Sequence, residues 1–339
     1  MSTLEQNFPM MIKQNKAITG VADLADGYAC ILSQQSLIQV NGDDAASFLH
    51  NQLSNDVEHL EEGEARYAAY CTPKGRMLAS IYYWKNKQDI YLQCSTTLQP
   101  ALQKRLQMFV MRAKAKLEDV SENLSFLGLG GTQAQVFLQQ YFAQLPTAIN
   151  QTVNGEYGVL IRRADAFDQP RYQWVIARTV LEQVLSTLQA KLKIIDSQIW
   201  RLGDIYAGIP EVREQTKEQF VPQMVNFELI GGVNFKKGCY PGQEIVARSQ
   251  YLGKLKRRMA IAKIEATNVA LATEIYSEKD PSQPCGMVVN AETSFGESTM
   301  CLVEIKLADH EDGKVHLGSI DGPLLQFQAL PYAYLDITE

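Results

Sequence analysis

The segment GGVNFKKGCYPGQEIVARS, residues 231 to 249, sets a cysteine behind two lysines and ahead of a glutamine and a glutamate. Glycines at 231, 232, 238 and 242 let the backbone turn tightly and bring N–H groups close to a ligand. Lys236 and Lys237 add positive charge beside Cys239, and positive charge favours thiolate over thiol. Cys239 is therefore a candidate for a depressed pKa and a reactive sulfur, with Lys237 as its electrostatic partner. The competing reading is a half-buried turn cysteine, and the residues alone leave both open. Gln243 supplies an amide that donates and accepts, and Glu244 a carboxylate that takes paired N–H donors, the complement of an amino-pyrimidinone edge. Glu244 equally suits the positive end of a helix dipole.

Other chemistry is sparse. LGLGGTQA, residues 127 to 134, puts glycines after a strand and before a helix, but Gln133 stands where a dinucleotide-binding turn has its third glycine. No GxxxxGK[ST] is present, which removes the phosphate loop of an NTPase. The four histidines show neither HExxH nor paired Cys/His spacing, so no metal site is expected. The six cysteines are scattered without a CxxC pair and are expected to be free thiols in a reducing compartment. The cluster KLKRR, Lys254 to Arg258, could touch RNA phosphates. The net charge of −6 argues against nucleic-acid binding by the whole body, and the cluster lacks interleaved aromatics for base stacking. The first residues lack the apolar core of a signal peptide, and no later run could span a bilayer, so a cytoplasmic protein with no membrane partner is expected.

The elements that must position Cys239 follow from periodicity. SLIQV, 36 to 40, reads as a strand, and NGDDAASFLHNQLSND continues it as a capped amphipathic helix. YAAYCT, MLASIYYW and DIYLQC form a meander. TLQPALQKRLQMFVMRAKAK reads as a helix with Leu98, Leu102, Leu106, Phe109, Val110 and Ala113 on one face. Strand LSFLGL, helix TQAQVFLQQYF, strands YGVLIRR and YQWVIA, and helix TVLEQVLSTLQAKL follow. Beyond about residue 250 only short alternating strands remain, the pattern of a small antiparallel β-barrel. The expected class is α+β, with one region over 20–249, made of two subdomains, and a β-barrel domain over 250–339.

FKKGCYPGQEIVAR, 235 to 248, resembles the signature of the YgfZ family, folate-binding proteins linked to iron–sulfur enzymes and tRNA modification. More distantly it is similar to the aminomethyltransferase (T protein) of the glycine cleavage system. VNGDDAASFLHNQLSNDV, AAYCTPKGRMLASIYYW, QFVPQMVNFELIGGVNF and LPYAYL extend the resemblance along most of the chain. It implies an aminomethyltransferase-like fold with ring-like subdomains around a channel that holds tetrahydrofolate. Residue by residue, Lys237, Cys239, Tyr240, Gly242, Gln243 and Glu244 sit on the signature. Trp200 matches a tryptophan that the family places against folate, although Ile199, Leu202 and Ile205 would also make it ordinary helix packing. No aromatic stands near Gln35, where the family has a second one.

KGRMLAS, 74 to 80, departs from the aminomethyltransferase pattern K-G-x-x-L-D-D: Ala79 and Ser80 replace the aspartates, and a methyl group organises no proton transfer. The resemblance thus implies a tetrahydrofolate-binding protein that supports iron–sulfur enzymes, including those that modify tRNA, with Cys239 beside the folate. A one-carbon transferase would need Asp56 or Glu64 as a replacement acid, and a direct tRNA-binding module would use KLKRR.

Overall fold

In the computed structural model, which describes residues 18–251 and 255–334, the aromatic meander forms as expected. Ala65–Cys71, Met77–Asn86 and Asp89–Ser95 pair antiparallel in sequence order, and Gln35–Asn41 and Lys116–Asp119 complete a five-stranded sheet. Alternation along these strands sends one face into the core, where Ile38, Ile81, Tyr83 and Leu92 are buried.

The helix expected over 97–116 is shorter, Gln99–Val110, because Met111 turns to a φ of 45° and Lys116–Asp119 pairs with Gln35–Asn41. Strand pairing outcompetes helical propensity here. Leu102 and Leu106 are buried, each contributing about 1.5–3 kcal/mol, whereas Phe109 is exposed. Likewise the helix begun by NGDD ends at His50. Leu53 bridges to Tyr70 and Ser54 hydrogen-bonds into the neighbouring loop instead.

A second sheet runs Lys193–Ile194, Tyr28–Ile31, Leu124–Gly130, Gln169–Ala177, Gly158–Ala166, Thr152–Gly155, antiparallel except for its first pair. Helices Thr132–Leu138 and Arg178–Lys191 pack on it through Phe137, Leu181, Val184 and Leu188. Helix Ser197–Tyr206, capped by Asp196 accepting from the Gln198 N–H, contacts strands Gly158–Ala166 and Gly286–Thr293.

The C-terminal strands form a third antiparallel sheet, Val315–Leu317, Glu274–Ser277, Gly286–Thr293, Thr299–Lys306, Arg257–Ile264, Leu325–Gln328. The sheet is a curled half-barrel; among the described residues its two ends meet at an isolated bridge, His316 to Leu324, and not in a continuous ladder. Met259, Ile261, Val289, Met300 and Leu302 from this sheet share one core with the five-stranded sheet.

Candidate functional site

Strands of all three sheets and helix Ser197–Tyr206 wall a cavity of about 710 Å³, within the range that accepts a cofactor-sized ligand. Alternation decides which side chains face it. Ser80 and Tyr82 line it while Ala79 is buried in the core, and Gln93 and Ser95 line it from the next strand. Arg163 and Gln173 come from the second sheet, Asn290 and Glu292 from the third.

The walls carry a continuous polar chain. Gln35 Nε2 donates to Glu211 (2.9 Å), whose other oxygen pairs with Arg213 (2.6 Å). Gln93 donates to Gln35 (3.0 Å), and Gln173 donates to Gln93 (2.6 Å). Arg163 donates to Gln173 (3.3 Å) and to the Tyr67 hydroxyl (3.0 Å), with its guanidinium 4.3 Å from the Tyr82 ring centre. Burial works against the Arg163 charge, but Tyr67, Tyr82, Asp204 and Glu211 more than offset it and hold the group protonated. Arg163 is 5% exposed, its Nε has no partner, and among the described residues no carboxylate reaches it. A buried guanidinium nitrogen without an acceptor costs folding energy until one arrives.

The cavity's carboxylates are in a different state. Asp204 pairs with Arg171 (2.8 Å), Glu292 with Arg201 and Glu211 with Arg213. Ser80 Oγ accepts from the Val212 N–H (3.0 Å). Asp56 and Glu64 lie outside the lining, Asp56 holding His50 and His59, Glu64 holding Arg66. No unpaired carboxylate is aimed into the cavity among the described residues.

Trp200 lines the cavity and is 4% exposed. One side of the indole rests on Gly128, where a Cβ would lie 2.5 Å from Cε3, and the Arg171 guanidinium sits 4.6 Å from a ring centre. Gly128 is thus the residue that makes room for the indole. The part of the ring that these two leave open borders the cavity.

None of Lys237, Cys239, Tyr240, Gln243 and Glu244 lines this cavity. Tyr67 stands between the two places: its hydroxyl meets Arg163, while its ring packs edge-on to Phe227 at 6.2 Å. The 231–234 segment is tied to the meander by Asn55, which donates to the carbonyls of Tyr67 (2.8 Å) and Gly231 (2.7 Å), and by Ser54, which donates to Gly232 (2.6 Å). Gly242, at φ 85°, closes the turn against 72–75; a Cβ there would lie 2.4 Å from the Thr72 carbonyl. Helix Gln243–Tyr251 begins at once, and Gln243 turns its amide back toward the carbonyls of Lys237 and Gly238 at 3.5 Å. Glu244 is exposed on that helix.

Lys237 points inward. Its ammonium donates to the carbonyls of His50 and Leu53 and lies 5.0 Å from the Tyr240 ring centre, and burial pulls its pKa down to about 8. Tyr240 is buried, which pushes its phenol up. Cys239 is exposed, whereas the other five cysteines are free and buried. Burial raises Cys30, Cys71 and Cys301 to about 12 and Cys285 to about 11. Among the described residues no three His, Cys, Asp or Glu side chains are grouped to hold a metal ion.

The KLKRR cluster does not form a free basic face. Arg257 pairs with Glu304 (2.9 Å) and Arg258 with Glu228, both within the third sheet's surroundings; Lys254 lies outside the described residues. The sequence reading passed over Arg163, Gln93, Gln173 and Glu211. Its one available signal was the pair of arginines ending the apolar run of YGVLIRR, a charge where a buried strand needs none.

Comparison with known proteins fits this geometry. Residues 29–154 match the GCVT N-terminal domain. The tRNA-modifying protein YgfZ of Colwellia psychrerythraea (strain 34H) is 32% identical over 252 residues, 74% of this chain and 76% of its own. That of Enterobacter sp. (strain 638) is 28% identical over 306 residues, 89% and 92% of the two chains. The crystal structure of the glycine cleavage system aminomethyltransferase T from Bartonella henselae superposes with a TM-score of 0.75 at 15% identity, covering 91% of this chain and 86% of that one. The overall fold is therefore that of aminomethyltransferase T. No helix among the described residues is long and apolar enough to cross a membrane.

Proposed function

The chain belongs to the YgfZ family of tRNA-modifying proteins, and from that membership we propose that it is a tetrahydrofolate-binding protein supporting the assembly or repair of iron–sulfur enzymes, including those that modify tRNA. The single observation that carries the ligand is the cavity's polar chain ending in Arg163, whose buried guanidinium has an orphaned Nε and no carboxylate. A folate suits these walls. The amides of Gln35, Gln93 and Gln173 and the Glu211 carboxylate match a pterin edge that both donates and accepts. Arg163 would receive an acceptor oxygen, and Trp200 would lend the open part of its ring. When bound, a reduced folate supplies one-carbon or redox chemistry; the chain's own residues hold and orient it and exclude water.

Conventional aminomethyl transfer is not favoured, because Ala79 is buried, Ser80 is engaged by Val212 and each cavity carboxylate is already paired with an arginine. Cys239, beside Lys237 and the buried Tyr240, is assigned as the reactive group toward a client enzyme. Tyr240, Gln243 and Glu244, named from the sequence as folate contacts, are better read as a buried ring beside Lys237, a support of the Cys239 loop and a surface carboxylate.

The test is genetic. A strain lacking the gene should lose activity of iron–sulfur tRNA-modifying enzymes and the corresponding modified nucleosides, at unchanged enzyme abundance. The wild-type gene should restore both, and Cys239→Ser should not. Full rescue by Cys239→Ser would remove the thiol from the function, and unchanged modification in the deletion strain would remove the function itself.

A further inference from the structure

The loop that carries Cys239 lies against the last turn of helix Ala45–His50, and His50 is the residue it meets. The His50 ring is 92% buried, yet its two nitrogens are used unequally. Nδ1 lies 3.1 Å from Asp56 Oδ1, while the N–H groups of Val57 and Glu58 approach the same nitrogen only at 3.4 Å. We assign the Nδ1 proton to the closer, charged partner, Asp56, which leaves Nε2 presenting a lone pair. Nε2 makes no hydrogen bond among the described residues, and it faces the position of Gly238. A Cβ at 238 would lie 3.5 Å from Nε2. Glycine at 238 therefore keeps the imidazole edge open toward the loop. Consecutive Cα atoms are about 3.8 Å apart, so the Cα of the exposed Cys239 lies within about 9 Å of Nε2.

We propose that His50 and Asp56 form a proton relay that activates Cys239, an inference that rests on the reading of Cys239 as a reactive thiol given above. The Cys239 side chain rotates onto Nε2, and the proton passes from Sγ to Nε2. Asp56 holds the Nδ1–H and faces the imidazolium. Asp56 is itself fixed: His59 approaches its second oxygen from Nδ1 (2.8 Å), and the His59 N–H donates to its first (3.1 Å). Burial pushes the Asp56 carboxyl up, but these hydrogen bonds and the charges of His59 and His50 outweigh it and hold the carboxyl below its ordinary value.

The other charges facing His50 are Glu58, 3.9 Å from Nδ1, and the Lys237 ammonium on the His50 carbonyl. Glu58 and Asp56 set negative charge beside the ring, and Lys237 sets positive charge on the loop side. Because no loop residue lines the cavity, the thiolate serves an electrophile presented from outside, by a partner at the surface, rather than a ligand in the cavity.

Iodoacetamide, small and uncharged, is the probe. The thiolate attacks its methylene carbon, an S–C bond forms, iodide leaves with the C–I electrons, and the imidazolium returns its proton to water. Mass spectrometry of the full-length protein follows Cys239 alkylation from pH 6 to 9 in wild type, His50→Gln, Asp56→Asn and Gly238→Val. The expected result is a fall of at least about tenfold near pH 7 for His50→Gln, below the ~10²–10⁴ of an optimised base. The variant rates should converge on wild type at high pH, where the thiol ionises unaided. Asp56→Asn should fall in the same direction, and so should Gly238→Val, which blocks the approach from an exposed position without touching the core.

Labelling of the five buried cysteines reports unfolding of any variant. If His50→Gln unfolds, the other two variants decide. Folded variants that alkylate like wild type across the pH range overturn the relay while leaving a reactive Cys239. A wild-type Cys239 no faster than a small free thiol overturns the reactive-thiol reading itself.

Discussion

The cavity around Arg163 and the loop around Cys239 each bring a cation close to a tyrosine, but they handle burial in opposite ways. Arg163 is 5% exposed and reaches Tyr67 and Tyr82, with part of its hydrogen-bonding capacity unused. Lys237 is half-buried over Tyr240 and spends its protons on two backbone carbonyls, leaving the neighbouring Cys239 exposed. The first region stores an unmet demand for an acceptor, which suits retention of a ligand. The second spends its charge on locking a turn, which suits presentation of a nucleophile. Tyr67, Asn55 and Ser54 join the two mechanically, so one meander strand holds both without merging them.

The largest expected effect tests exposure. With a thiol probe in the native protein, Cys239 should react faster than Cys94 or Cys301 by a factor on the order of 10³ or more, since reaching a core thiol draws on the ~5–15 kcal/mol of unfolding free energy. Comparable rates, read by peptide mapping, would erase the distinction between the regions. Trp200→Ala should cost about 3–5 kcal/mol in denaturant unfolding and abolish folate binding. Gly128→Ala, which drives a methyl into the indole, should cost about 1–3 kcal/mol and weaken binding without changing Cys239 labelling.

Arg163→Met removes the unmet demand. It should leave the protein folded by circular dichroism and weaken a folate by about 10- to 100-fold, the worth of a charge-assisted hydrogen bond. The smallest effect concerns Lys237, whose folded pKa of about 8 lies below the ordinary lysine value. The unfolded chain then binds more protons between about pH 8 and 10.5, so wild-type stability should rise with pH through that window. Lys237→Met should lack this rise, and parallel stability curves for the two would show that the ammonium is not buried.

The sequence carried the loop well and the cavity poorly, for a physical reason. A tight turn is local: KGCYPGQE writes its glycine at φ 85° and its helix start into eight consecutive residues. The meander was legible too, because strand alternation is local. The cavity's polar chain draws Gln35, Gln93, Arg163, Gln173 and Glu211 from segments up to 176 residues apart, and only sheet assembly makes them neighbours. Trp200 was reached through resemblance, yet its contacts with Gly128 and Arg171 were not visible. The pairing of His50 with Asp56 went unread because it forms only when the helix expected to continue past residue 50 stops there and the chain doubles back. The ion pairs of the basic cluster were not legible because Glu304 and Glu228, which pair with its arginines, are distant in sequence.

The central claim is that ligand retention and thiol chemistry occupy separate places. Calorimetric titration of wild type, Cys239→Ser and Arg163→Met with tetrahydrofolate tests it most directly. Saturable binding by wild type, equal binding by Cys239→Ser and weakened binding by Arg163→Met is the predicted result. Binding lost in Cys239→Ser but kept in Arg163→Met would place the ligand at the loop and contradict the account.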